Sequence, residues 1–275
     1  MDTTELAKRM KDYEDVGKTR LMNKSPVCIR LDGVSFHTFT KGFDRPFDNV
    51  LNETMRLTMK NLCEEMSGCV FGYTQSDEIT LILADYFKKE SQPWFGNVKR
   101  KVESVSAAMA TKFFNLNFAH VIHDALKNEI GNSKDEELLK RIMAKYRKYL
   151  KKCGMAMFDS RAFNLPIFEV INNLIWRQDD CVRNSIQSVG QANFSHSKLQ
   201  NKNCNQIKEM LVAEKGIDWE KLPTALKRGT CCIKVPTIIN DGTENEAIRN
   251  KWVIDYEIPM FKDNREYIES RVNPL

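Results

Sequence analysis

Three carboxylates in this sequence stand where they could act on one substrate. Asp32 closes the apolar run Pro26-Val-Cys-Ile-Arg-Leu-Asp32-Gly33. Asp77 and Glu78 lie side by side in Phe71-Gly-Tyr-Thr-Gln-Ser-Asp-Glu-Ile-Thr-Leu-Ile-Leu83, between two short apolar runs. Carboxylates gathered at one sheet edge make an oxygen-rich site suited to Mg²⁺. Two such ions clamp the attacking and leaving oxygens of a phosphoryl transfer. The competing reading is turn chemistry, since Asp and Ser are frequent in bends, where they hydrogen-bond the backbone. The pattern alone leaves both readings open.

Convergence of these acids depends on the elements that carry them. Residues 26–33 read as a strand that ends in a turn. A helix is predicted over 48–66, with Val50, Leu51, Met55, Leu62 and Met66 on its apolar side. Residues 70–73 and 79–83 read as the two arms of a hairpin, and Trp94-Phe-Gly leads into a second long helix to about residue 120. Strand, helix, hairpin, helix is most of a ferredoxin-like split βαβ unit, lacking its last strand, and it gives an α+β fold class. In such a sheet the first strand lies beside the hairpin. Strand alternation can break at a bend, so both Asp77 and Glu78 could reach Asp32.

Before this unit, Leu6, Met10, Tyr13 and Val16 follow Thr3 or Thr4 at helical spacing and predict a packing helix. After it, the polar segment 127–137 reads as a boundary, dividing a catalytic unit, 1–135, from a C-terminal region, 136–275, that packs on it. That region opens on a basic helix ending in Lys145-Tyr-Arg-Lys-Tyr-Leu-Lys-Lys152, followed by strand-like 155–161 and a long helix over 166–189. Two further strands, 230–235 and 252–258, flank an Asn240-Asp-Gly turn.

The chain has 42 Lys and Arg against 37 Asp and Glu, a net +5, too small an excess to name a nucleic-acid partner by itself. The N-terminus has no basic region followed by an apolar core, and no apolar run is long enough to span a bilayer, so a soluble, cytoplasmic protein is expected, with an organellar address left open. The 8 cysteines are scattered without Cys-x-x-Cys and read as reduced, buried thiols. Cys231 and Cys232 would face opposite sides of a strand, which argues against a shared zinc site. Gly17-Lys18-Thr19 ends like a phosphate-binding loop, but Asp12 occupies the place of the required first glycine. His120 and His123 lack a further ligand at metal-binding spacing, and the absence of Gly-x-Ser-x-Gly weakens a hydrolase reading.

Five blocks now combine: Ile29-Arg-Leu-Asp-Gly33 with Ser35-Phe-His37, Phe43-Asp-Arg-Pro-Phe-Asp48, Tyr73-Thr-Gln-Ser-Asp-Glu78, Trp94-Phe95 and Trp176-Arg-Gln-Asp-Asp180. In this order, over about 25–200, they resemble the tRNA-His guanylyltransferase superfamily, whose members add nucleotides to RNA in the 3′-to-5′ direction. The resemblance implies a polymerase-type palm with two Mg²⁺ held by Asp32, Asp77 and the Gly33 carbonyl, and with Glu78 in support. The segment Asp32, Gly33, Val34, Ser35, Phe36 and His37 would wrap a triphosphate through backbone N–H groups, with Ser76, Arg45 and Lys101 adding contacts. Gly33 would allow the close approach of phosphate.

The chemistry the resemblance implies has two in-line steps. ATP or GTP activates the RNA 5′-phosphate, and the 3′-hydroxyl of an incoming nucleotide then attacks it. The implied partners are the 5′ end and acceptor stem of a tRNA and nucleoside triphosphates, with a homotetramer as the assembly and no membrane. Arg30, Lys99, Arg100, Lys145, Arg147 and Lys148 would contact RNA, although Lys99 to Lys101 also reads as a solvated helix start, and 145–152 as a charged helix face. Asp159 and Arg161 would form a structural ion pair, and the helix with Trp176, Arg177 and Asp180 would scaffold the site or a subunit contact.

Two departures matter. Cys181-Val-Arg-Asn184 stands where enzymes dedicated to tRNA-His typically show His-Ile-Asn-Asn, and Val34 replaces the family's usual Arg or Lys. The sequence therefore resembles the guanylyltransferase-like enzymes that repair tRNA 5′ ends by templated addition. Addition of a single G to tRNA-His and a non-catalytic nucleotide- or RNA-binding palm remain the alternatives.

Overall fold

The computed structural model describes residues 4–131, 135–240 and 246–273, apart from the side chains of 238–240, 246 and 247. Helix α1 (Glu5–Asp15) precedes strand β1 (Val27–Gly33), the single turn α2 (Phe36–Phe39) and helix α3 (Asn49–Glu65). Strands β2 (Cys69–Gln75) and β3 (Glu78–Leu83) form the hairpin, followed by the long α4 (Lys99–Ile130), α5 (Glu136–Leu150), β4 (Phe158–Asn164) and α6 (Ile167–Asn193). The remainder holds α7 (His196–Leu199), α8 (Cys204–Lys215), α9 (Thr224–Arg228), β5 (Thr230–Asn240), β6 (Glu246–Asp255) and α10 (Glu266–Val272).

The six strands form one sheet in the order β4-β1-β3-β2-β5-β6, antiparallel at every pairing. β4 supplies the missing last strand of the βαββαβ unit, and β5 and β6 lengthen the same sheet. The sheet thus draws strands from both sides of position 135.

Alternation along β1 explains why apolar residues stand on both of its faces. Val27, Ile29 and Leu31 face one core, built with Met55, Met59 and Leu62 of α3 and with Phe114 and Phe118 of α4. Cys28 faces a second core, with Phe71, Ile82, Val170 and Leu174 under α6 and Ile268 and Val272 of α10. Each large side chain buried this way contributes roughly 1.5–3 kcal/mol. Cys231 and Cys232 fall in different cores, as their adjacency on a strand requires. A third cluster joins the far half of α6 to α8 through Ile186, Val189, Ile207, Leu211 and Trp219.

The cap of α3 is specific. Asp48, buried at the cap, accepts hydrogen bonds from the Leu51 N–H and Asp44 N–H at 2.9 Å each and from the Tyr149 hydroxyl at 2.6 Å. One carboxylate therefore starts a helix, closes the loop before it and docks α5.

Three expectations need correction. α1 forms but buries nothing: Leu6, Met10, Tyr13 and Val16 are all exposed, because no element covers that stripe. α4 continues ten residues past the expected end, since no breaker intervenes before Gly131, whose φ of +50 ends it. The strand predicted over 252–258 ends at Asp255, because β6 runs back along β5 from Glu246. The Asn240-Asp-Gly turn lies outside the described residues.

Candidate active site

The ends of β1, β3 and β4 bring charge together. Asp32 is paired in register with Glu78 on one side and Asp159 on the other, so all three carboxylates leave the same face of the sheet. Like charges directly opposite one another repel. Glu78 is relieved by α6: the Arg177 Nε donates to its Oε1 at 2.7 Å, and the same guanidinium donates to Asp180 at 2.8 Å. Asp180 also accepts from Arg183 and Asn184. Burial pushes the Glu78 pKa up, and Arg177 pulls it part of the way back.

Among the described residues, Asp32 and Asp77 have no such partner. Burial holds the Asp32 carboxyl above its ordinary range and Asp159 adds to the rise, while Arg161, Arg30 and Arg177 oppose it. Burial also raises Asp77, and its second cause is Asp32 itself, which places the two acids within each other's field. Ser76, at φ +50, donates its hydroxyl to Asp77 at 3.0 Å and makes the bend that turns Asp77 out of the ladder. Asp32 raises the Asp77 pKa, and with no ion pair to either acid among the described residues the two carboxylates are oxygen donors of the kind a hard divalent cation takes. No group of three or more His, Cys, Asp or Glu is gathered for a metal among the described residues. Such an ion would complete its shell from backbone, substrate and water, as Mg²⁺ does.

Asp77 and Ser76 line a cleft of about 420 Å³. One wall is the loop after β1, including His37, Arg45 and Asp48; the other is Asn184, Ser185 and Ser188 of α6 with Ala225, Leu226, Gly229 and Thr230. The loop narrows what backbone N–H groups can do. Gly33 N–H donates to the Asp77 carbonyl at 3.1 Å and Val34 N–H to the Met157 carbonyl at 2.9 Å, so neither is available to a triphosphate. Ser35, at φ +54, starts α2, and the N–H groups of Ser35, Phe36 and His37 donate to no protein acceptor among the described residues. Three such groups in a left-handed-then-helical turn form an anion-binding concavity.

The reason for glycine at 33 also differs from the expected one. A Cβ there would lie 2.2 Å from the Phe36 ring, so the position is glycine to admit that ring. Phe36 itself is buried among Phe39, Phe114 and Phe158.

Several predicted contacts are not brought to the cleft. Lys99, Arg100 and Lys101 open α4 at the Val27 end of the strands, where Val27, Leu83 and Asn97 line a separate small cavity. That is roughly 16 Å along β1 from Asp32, given about 3.3 Å per residue. Lys99 there pairs with Glu103, and Arg100 donates to the Glu14 carbonyl. On α5, Lys145 is paired with Glu129 and Lys148 with Asp44, while Arg147 is exposed. Asp159 and Arg161 approach to 4.0 Å, as expected of an ion pair. The cleft wall at 225–230 had no signal in the sequence; Asp48 had one, as an N-cap before an apolar run.

Comparison with known proteins places the chain in a family. Residues 7–166 match the family model described as tRNAHis guanylyltransferase. A bacterial tRNA(His) guanylyltransferase (Thg1)-like protein in complex with ATP is 38% identical, covering 98% of this chain and 99% of its own, with a TM-score of 0.77. The corresponding complex with GTP is 34% identical, covers 98% of this chain and 100% of that one, and has a TM-score of 0.74. An uncharacterized protein of Acanthamoeba polyphaga mimivirus is 29% identical over 90% of this chain and 82% of its own length. The chain belongs to the tRNAHis guanylyltransferase family, a family of nucleotidyltransferases. Among the described residues, no helix is long and apolar enough to cross a membrane.

Proposed function

We propose that this protein adds nucleotides to the 5′ end of tRNA in the 3′-to-5′ direction, guided by the opposing strand, and so repairs truncated ends. The observation that carries the reading is Asp77, within the field of Asp32, in the lining of a cleft large enough for a nucleoside triphosphate. The bacterial relatives in complex with ATP and with GTP support a nucleotide in that place.

In this reading the sheet is a polymerase-type palm, with 1–135 its catalytic unit and 136–275 supplying the second wall, and the assembly is a homotetramer. The unpaired N–H groups of Ser35, Phe36 and His37 hold the triphosphate, and Arg45 and Ser76 add contacts from the cleft lining. Asp32, Asp77 and the Gly33 carbonyl would hold Mg²⁺, which when bound neutralises the charge developing on the transferring phosphoryl oxygens. In the first step a 5′-phosphate oxygen bonds to the α-phosphorus of ATP or GTP and pyrophosphate leaves. In the second, the 3′-hydroxyl oxygen of the incoming nucleotide bonds to the 5′-phosphorus, its proton is lost, and the nucleoside monophosphate leaves. Glu78, paired with Arg177, fixes the β3 end beside Asp77 and takes no part in bond making. Cys181 stands in the cleft wall where enzymes dedicated to tRNA-His carry histidine, which favours repair over addition of a single G.

The test is incubation with Mg²⁺, four nucleotides and 5′-monophosphorylated tRNA lacking its first nucleotide, with 5′ ends resolved on a gel. Wild type should extend the end to match the opposing strand and stop when the stem is complete, and Asp77→Ala should lose at least 10²-fold in rate. A single untemplated G added to full-length tRNA-His alone would refute the repair reading.

A further inference from the structure

One aromatic ring near the acids is neither core nor cleft lining. Trp176 on α6 is 54% exposed, although it stands beside a buried stretch of that helix. Its ring is flanked by two cations: the guanidinium carbon of Arg177 lies 4.4 Å from the ring centroid and that of Arg30 lies 5.9 Å from the same point. Arg30 precedes Asp32 by two residues on β1 and therefore leaves the sheet on the same face. Directly opposite Arg30, across the β1–β4 pairing, is Arg161.

These cations are available in different degrees. Arg177 is buried and committed to Glu78 and Asp180. Arg30 forms no ion pair among the described residues, and Arg161 reaches Asp159 only at 4.0 Å, with its side chain 56% exposed. This group is separate from the cleft lining, which contains neither Trp176, Arg30 nor Arg161. A solvent-facing indole held by a neighbouring guanidinium offers a flat stacking surface. Beside it the guanidinium of Arg30, in no ion pair among the described residues, and that of Arg161, held by Asp159 only at 4.0 Å, offer paired donors to phosphate. A ligand that uses both has a π-face and a negative charge on the same unit, which describes a terminal nucleotide.

We infer that Trp176, Arg30 and Arg161 form the seat for the terminal nucleotide of the RNA acceptor, the indole stacking on its base and the two guanidiniums holding its 5′-phosphate toward Asp32. The inference rests on the nucleotide-addition reading above. It gives the acid pair two approaches, triphosphate from the cleft on the Asp77 side and RNA end from the Trp176 side.

The experiment measures affinity for a short acceptor-stem hairpin lacking its first nucleotide, carrying either a 5′-phosphate or a 5′-hydroxyl, by fluorescence anisotropy. Binding of ATP is titrated in parallel. Trp176→Ala should weaken the RNA complex on the order of tenfold and Trp176→Phe should restore most of it, with ATP affinity unchanged. Arg30→Ala should cost about tenfold on the 5′-phosphorylated hairpin and nothing on the 5′-hydroxyl one. Equal losses on both hairpins, wild-type RNA affinity in Trp176→Ala, or dissociation of the assembly in that variant by sedimentation would overturn the seat. If wild type extends tRNA but these variants bind RNA as wild type does, the seat alone fails. If wild type binds neither hairpin, the repair reading fails with it.

Discussion

Arg177 is where the chemistry of single residues is most exposed to test. Its bond to Glu78 is nearly dry, with 8% and 11% of the two side chains exposed. Removing one partner leaves the other charge buried alone, which costs about 3–5 kcal/mol. Arg177→Met should therefore lower the urea midpoint sharply, and Glu78→Gln in the same chain should recover much of the loss. Equal midpoints for the single and double variants would show that the pair does not couple. Gly33→Ala forces the Phe36 ring to move, so a lower Tm and weaker nucleotide binding are expected together, because Phe36 opens the turn whose N–H groups are proposed to hold the triphosphate. Unchanged Tm in that variant would mean the ring has room that the geometry denies. The sequence displayed Asp32 and Asp77 because strand ends and bends are marked by composition. It hid the tether on Glu78, whose partner is 99 residues away on another element, and it hid which backbone donors the sheet had already taken.

At the scale of elements, α5 shows how a helix that reads as charged surface can be structural. Tyr149 on its inner face donates to Asp48, and burial, then that hydrogen bond, raises the Tyr149 phenol far above its ordinary pKa. A folded pKa above the unfolded one contributes stability that is complete below about pH 10, the unfolded value. The contribution is lost progressively as pH rises beyond that, because the unfolded chain releases the proton first. Melting temperature should accordingly fall more steeply between pH 9 and 11 in wild type than in Tyr149→Phe; parallel curves would refute the assignment. The central hairpin and both long helices were legible because their apolar periods are regular. The exposure of α1 was not, since its period of apolar residues is that of a buried helix and only tertiary structure shows that nothing covers it.

The whole molecule is a sheet with a core on each face, and its thiols report on that arrangement. Cys28, Cys63, Cys69, Cys181, Cys231 and Cys232 are buried and free, while Cys153 and Cys204 are partly exposed. A thiol reagent should modify at most the latter two rapidly in the native protein and all 8 after unfolding. Fast reaction of a third would show an opening of one core. Overall class and the place of β1 beside the hairpin followed from the succession of elements, whereas the joining of β4, β5 and β6 to the same sheet did not, because pairings such as that of β5 with β2 depend on no local signal.

The two outer edges of that sheet differ. On β4, the Phe158 and Ala162 N–H groups donate to Thr111 and Glu103 of α4, and the Ala156 N–H just before the strand donates to Asn115. Among the described residues, β6 pairs with β5 alone. Fibrous growth by strand addition needs an acceptor at both ends of every unit, and one end here is already occupied by the chain's own side chains. Edge-to-edge contact between copies can therefore close a pair through β6 and then has nowhere to continue.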